Sequence, residues 1–122
     1  MPTIHLIDDD QDFLKYFQSW LSRKFKNAII KTLPTRNSSL NEFKHGIPNL
    51  ILVDYNIPED PRSLRDYIET VRTDFRCKET KVFLMTVYEY YEIMNVCHLI
   101  DVFVPKPFDP EKVLEDMKRF IR

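Results

Sequence analysis

Short continuous apolar runs alternate along this chain with stretches whose apolar residues recur every three or four positions, and the alternation repeats five times. Runs of the first kind read as buried strands and stretches of the second kind as amphipathic helices. Thr3–Ile7 is a β-branched run that ends in carboxylates. Phe13, Leu14, Phe17 and Leu21 then recur at helical spacing after an Asp/Gln start, with Asp10 or Asp12 as the cap. Residues 28–33 read as a second strand. A weaker helix follows, with Ser39 and Glu42 at capping-box spacing and Leu40 and Phe43 as its stripe, broken by Gly46 and Pro48. Residues 50–53 form an unbroken apolar run, as in a strand covered on both faces. Asp60-Pro61 reads as a cap followed by a first-turn proline, opening a helix whose stripe is Leu64, Tyr67, Ile68 and Val71. Residues 81–85 form another buried strand. Residues 88–99 are read as a poorly patterned helix with Met94 and Cys97 inward, and 102–104 as a short strand. Asp109-Pro110 opens the clearest helix, lined by Val113, Leu114, Met117, Phe120 and Ile121.

Strand and helix in strict alternation imply right-handed crossovers, and hence an α/β domain with a parallel five-stranded sheet covered by helices on both faces. A length of 122 residues suits one such domain, 1–122, with no output domain expected after it. Composition supports a globular protein, with 43% hydrophobic and 30% charged residues. A net charge of −1 offers no electrostatic footprint for nucleic acid or an anionic membrane, so neither is expected as a partner. No segment has the length of a membrane span, and the N-terminus lacks a secretory pattern. Cys77 and Cys97 have no metal spacing and read as reduced thiols of a cytoplasmic protein. The only glycine is Gly46, so turns must be built from Asn, Asp and Pro.

Open parallel sheets bind ligands outside the carboxyl ends of their strands. The residues just past those ends are Asp8, Asp9 and Asp10, then Asp54, Thr86 and Lys106. Carboxylates gathered on one rim raise each other's pKa, and a hard cation such as Mg²⁺ relieves the repulsion with oxygen ligands. A lysine opposite and a threonine hydroxyl complete a set suited to phosphoryl transfer, with Asp54 as the candidate nucleophile.

These segments, His5 to Asp10, Leu50 to Pro58, Phe83 to Thr86 and Pro105 to Phe108, resemble those of response-regulator receiver domains of two-component signalling, and the resemblance spans the whole chain. It implies a flavodoxin-like fold with strand order 2-1-3-4-5. It further implies phosphorelay signalling, with Asp54 phosphorylated by a histidine kinase or phosphotransfer protein. Asp9 and Asp54 would be direct ligands of Mg²⁺ (or Mn²⁺), Asp8 would hold a metal-bound water, and Asn56 would offer its backbone carbonyl. Thr86 and Lys106 would bind the phosphoryl group, and Phe103 would be the aromatic that turns inward on activation. The peptide before Pro107 would be cis. Such a domain is not an enzyme beyond phosphoryl transfer to, and hydrolysis from, its own Asp54. Its output would pass through protein contacts, at the face of the fourth helix, fifth strand and fifth helix, or through homodimerisation.

The chain departs from the family pattern in three places. The loop after Pro58 lacks its usual glycines, Val87 stands where a small residue is usual and would narrow access to Asp54, and Leu99-Ile100 replaces a small pair. A degenerate receiver serving as a phosphorylation-independent binding module is the first alternative. The second is a haloacid-dehalogenase-type phosphatase, from Asp8-x-Asp10, although Asp12 does not fit that motif. Each site residue also has a plainer reading, with the Asp run as a helix cap and Thr86 as a strand end satisfying a backbone group. His5, His45 and His98 have no ligand spacing. Tyr88, Tyr90 and Tyr91 read either as packing or as an exposed partner patch.

Overall fold

A computed structural model describes residues 1–58, 60 and 62–121. Five parallel strands, β1 (Thr3–Ile7), β2 (Ile29–Leu33), β3 (Leu50–Asp54), β4 (Lys81–Thr86) and β5 (Val102–Pro105), form one sheet in the order 2-1-3-4-5. The expected fold class and strand order are therefore both found. Central β3 is buried along its whole length, which explains its unbroken apolar run, while edge strand β2 is mostly half-exposed. Alternate residues feed two cores. Ile4, Leu6, Leu50, Leu52, Phe83 and Met85 pack under α1 (Gln11–Lys24) and α4 (Pro110–Phe120). Ile7, Ile51, Val53, Val82 and Leu84 pack under α2 (Arg36–Asn41) and α3 (Leu64–Thr73).

Caps fix where the helices begin. Asp10 accepts the Phe13 N–H at 3.1 Å at the start of α1, and Asp109 with Pro110 opens α4. Two expected starts are corrected. The cap of α2 is Thr35, in a reciprocal box with Ser38, because Ser39 and Glu42 are used elsewhere: Ser39 faces the core, and Glu42 accepts from Lys31 at 2.8 Å. The cap of α3 is Ser63, because the Asp60 carboxylate instead accepts the backbone N–H groups of Arg36 and Arg62 at 2.6 and 3.1 Å. Pro61 lies outside the described residues.

The expected helix over 88–99 is replaced by two 3₁₀ turns, Tyr90–Ile93 and Cys97–Leu99. The inward residues are Ile93 and Val96, with Leu99 half-buried, whereas Met94 is exposed and Cys97 half-exposed. Apolar positions at 93, 96 and 99 have a period of three, that of a 3₁₀ helix. The N–H groups of Glu92, Val96 and Leu99 accordingly reach back three residues to carbonyls. Phe120, expected inward on α4, is 38% exposed and packs edge-on to Phe83. Gly46 has φ +143°, open to glycine alone, and no other described residue has a positive φ.

A polar chain runs through the second core. His5 Nδ1 lies 2.8 Å from the Ser39 hydroxyl, which lies 2.8 Å from the Tyr67 hydroxyl, and all three residues are buried. Burial, reinforced by the Lys31 ammonium and only partly opposed by Glu42, pushes the His5 imidazole down to about 4 from 6.5. The unfolded chain therefore binds this proton first. The resulting penalty to the native state sets in as pH falls through about 6.5 and is complete below about 4. Urea unfolding of wild type and His5→Gln at pH 7 and pH 4 should show the variant gaining up to about 3 kcal/mol relative to wild type at the lower pH. Parallel pH profiles would contradict the assignment.

Candidate functional site

Register builds the site. Ile7 pairs with Val53, Asp54 with Met85, and Thr86 with Pro105, so Asp8, Asp54, Thr86 and Lys106 fall at the carboxyl ends of β1, β3, β4 and β5. Asp8 is pinned by its N–H to the Leu33 carbonyl at 3.2 Å, and its Oδ1 accepts the Asp10 N–H at 3.0 Å. Asp8, Asp9 and Asp54 each offer an oxygen, and these oxygens all lie within 4.8 Å of one another. Asp8 and Asp54 are buried, and Asp9 is exposed at the mouth. The Lys106 N–H donates to the Thr86 carbonyl at 2.8 Å, and the Lys106–Pro107 peptide is cis. The lysine Nζ stands 3.2 Å from Asp8 Oδ2 and 3.3 Å from Asp54 Oδ1, and 5.5 Å above the Phe13 ring.

One ammonium does not neutralise three carboxylates. Burial, and then the Asp8 charge, push the Asp54 carboxyl up to about 6, although Lys106 pulls the other way. Asp8 is raised as well, chiefly by burial, against the Asp10 N–H and Lys106. Burial acts to lower Lys106, but the facing Asp54 and Asp8 carboxylates outweigh it and hold its pKa above the usual lysine value. The all-oxygen donor set, its excess negative charge and its open mouth fit a hard divalent cation. Asp8, Asp9 and Asp54 are the side chains that could hold such a cation.

The remaining expected residues are placed around this centre. Thr86 is buried, and its hydroxyl accepts the Tyr88 N–H at 2.9 Å, the strand-end arrangement of the plainer reading. Asn56 is exposed in the loop after β3. Val87 is 71% exposed and lines, with Asp10, Phe13, Tyr16, Lys106 and Phe108, a groove of about 530 Å³ beside the site. Phe103 is half-buried, edge-on to Tyr90 at 5.6 Å. Tyr88, Tyr90 and Tyr91 are exposed, and Tyr88 also packs on Tyr55 at 5.1 Å. Asp10 caps α1, which engages the carboxylate that a haloacid-dehalogenase-type motif would require.

Two features escaped the sequence reading. Phe13, one of the apolar positions of the α1 stripe, also flanks Lys106. Arg36, buried behind the loop after Asp54, was not singled out. Its signal is faint: a cation in the first turn of a helix, the end that disfavours positive charge, with no acidic residue in that turn.

No protein-family model and no curated protein matches this sequence. Solved structures match it over its full length. The BeF3-activated receiver domain of DrrB is 27% identical with a TM-score of 0.79, covering 99% of this chain and 97% of that one. The response regulator TrrA of Thermotoga maritima, in complex with Mg²⁺-BeF, is 22% identical with a TM-score of 0.82, covering 99% and 100%. TrrA has also been solved in complex with the histidine kinase ThkA. The signal receiver domain of a DNA-binding response regulator from Colwellia psychrerythraea is 15% identical with a TM-score of 0.88, covering 99% and 98%. This chain has the flavodoxin-like fold of response-regulator receiver domains from end to end.

Crowded carboxylates make two expectations for thermal unfolding at neutral pH. Without metal, Asp54→Asn should stabilise the protein by about 1 kcal/mol, a rise of a few degrees in Tm. Mg²⁺ at about 100 times its Kd should stabilise wild type by about 2.7 kcal/mol, and Asp9→Asn should lose most of that gain. An unchanged Tm on adding Mg²⁺ to wild type would contradict the metal assignment.

Proposed function

We propose that this chain is a phosphorelay receiver that accepts a phosphoryl group on Asp54 from a histidine kinase or phosphotransfer protein, with Mg²⁺ as its cofactor. The observation that carries the reading is the meeting of Asp8, Asp9 and Asp54 oxygens within 4.8 Å, with Lys106 bridging Asp8 and Asp54. The TrrA complexes with Mg²⁺-BeF and with a histidine kinase support it by likeness of fold.

The Asp54 carboxylate attacks phosphorus in line, a P–O bond forms, and the P–N bond of the donor phosphohistidine breaks as the imidazole leaves. Asp8, Asp9, Asp54 and the Asn56 carbonyl would hold the cation, which when bound offsets charge on the transferring group. Lys106 turns from the bare carboxylates to a phosphoryl oxygen. The Thr86 hydroxyl leaves the Tyr88 N–H for another, which moves the segment after β4 and lets Phe103 rotate inward from Tyr90. Val87, at the groove beside Lys106, slows the approach of donors and of hydrolytic water. Release of Asp54 is then hydrolysis of its own acyl phosphate and of no other substrate.

Output passes through protein contacts. The exposed Tyr88, Tyr90, Tyr91 and Met94, beside half-buried Phe103, offer a surface for a downstream protein or a second copy of this chain. No described helix is long and apolar enough to cross a membrane, and both cysteines are free, which fits work in the cytoplasm. Incubation with acetyl phosphate and Mg²⁺ should add one phosphoryl group to the intact mass of wild type and none to Asp54→Asn. Val87→Ala should label several-fold faster. A folded wild type that stays unlabelled beside a control receiver that labels would overturn the reading and leave a phosphorylation-independent binding module.

A further inference from the structure

The loop after β3 must be held without glycine, and the residues that hold it surround Arg36. This residue is 4% exposed. Its guanidinium donates through one terminal nitrogen to the Arg62 carbonyl at 2.6 Å and through the other to the Tyr55 carbonyl at 2.7 Å. Its backbone N–H donates to Asp60 Oδ2 at 2.6 Å, and its guanidinium faces the same buried carboxylate at 3.6 Å. Tyr55 is tied on its other side as well, its N–H reaching the Met85 carbonyl at 2.8 Å. Asp60 closes a turn by donating its N–H to the Ile57 carbonyl at 3.1 Å, and the Ile57 side chain is buried.

Asn56 therefore lies between two anchored carbonyls, those of Tyr55 and Ile57, while its own side chain is exposed and makes no hydrogen bond among the described residues. A loop rich in glycine could reach the same shape only by losing more entropy on ordering. Here a rigid guanidinium fork spans the two ends of the loop instead. Arginine suits the task because its planar donors are pre-organised, whereas a lysine ammonium is a single point on a flexible stem.

We propose that Arg36 is a positioning residue for the metal site, fixing the Tyr55 and Arg62 carbonyls so that the Asn56 carbonyl is available as a ligand beside Asp54. The proposal rests on the reading of Asp8, Asp9, Asp54 and Asn56 as the Mg²⁺ set, and gives the outer support of that set to a residue of α2. Outer-shell partners that orient metal ligands typically change affinity by about tenfold or more when removed. Arg36 ties α2 to this loop, beside a second tie in which the Arg62 side chain donates to Asn37 Oδ1 at 3.0 Å.

Calorimetric titration of Mg²⁺ into wild type, Asp9→Asn and Arg36→Lys tests this, with circular dichroism and Tm recorded for each. Lysine keeps a charge opposite Asp60 but cannot span both carbonyls. Arg36→Lys is expected to remain folded and to bind Mg²⁺ about tenfold more weakly. Its labelling by acetyl phosphate should recover at saturating Mg²⁺, a pattern that mere loss of stability does not produce. A folded Arg36→Lys with lowered Tm but unchanged Mg²⁺ affinity would overturn the proposal and leave Arg36 as a structural tie. Wild type that binds no Mg²⁺, indistinguishable from Asp9→Asn, would overturn the metal reading and the positioning role together. Should Arg36→Lys fail to fold, Arg36→Gln with Asp60→Asn removes both buried charges at once, and the same weakening is expected of it.

Discussion

The Lys106 ammonium stands between Asp8 and Asp54, and the arrangement of the rim turns on that contact. Four strands must be in register for it to exist, since Asp8 follows β1, Asp54 ends β3, and Lys106 follows β5, which reaches β3 only through β4. Both carboxylates are buried, and taking them out of water is costly unless charge is paired. A single ammonium stands among Asp8, Asp9 and Asp54; burial first, and then the Asp8 charge, push Asp54 upward even with the lysine in place, and burial chiefly raises Asp8. A site in this condition favours any arrival that brings positive charge, and any group that gives Lys106 a better-charged partner. Under the proposed function, this electrostatic imbalance would supply the driving force for binding a cation and for moving Lys106.

Scarcity of glycine shapes the periphery. With Gly46 as the only residue at positive φ among those described, the loops are tied down by arginines donating to carbonyls. Arg36 holds Tyr55 and Arg62, Arg65 reaches the Asn95 carbonyl at 2.7 Å, and Arg72 holds the Leu99 and Thr80 carbonyls at 2.9 and 2.8 Å. Arg72 also pairs with Asp101 at 2.6 Å, whose carboxylate accepts the Val82 N–H at 2.8 Å. These ties sit around β3, β4 and the 3₁₀ segment. Leu99 and Ile100 pack against the second core beside that segment.

Fold and site were legible to different depths. Strands were plain because burial on both faces writes a continuous apolar run, as at 50–53 and 81–85. The rim followed from topology, because a parallel sheet leaves no choice about where Asp8, Asp54, Thr86 and Lys106 emerge. Helix starts were less legible, since Asp60 and Ser39 have the chemistry of caps but are taken by Arg36 and by the His5–Tyr67 chain. Such competition is tertiary and leaves no local trace. The 88–99 segment was misjudged for a related reason: its apolar residues were set against a period of 3.6, when Ile93, Val96 and Leu99 follow a period of three. Arg36 leaves only a faint local signal, because nothing in its own neighbourhood says that the loop it serves lies some twenty residues away.

The most direct measurement is a crystal structure of the protein with Mg²⁺ and beryllofluoride. The account predicts beryllium bonded to an Asp54 carboxylate oxygen, with the cation against Asp8, Asp9 and the Asn56 carbonyl. Lys106 would be drawn from the carboxylates to fluoride, and Thr86 would be released from the Tyr88 N–H. Beryllofluoride at Asp8 or absent from the site, with Lys106 still bridging Asp8 and Asp54, would contradict it.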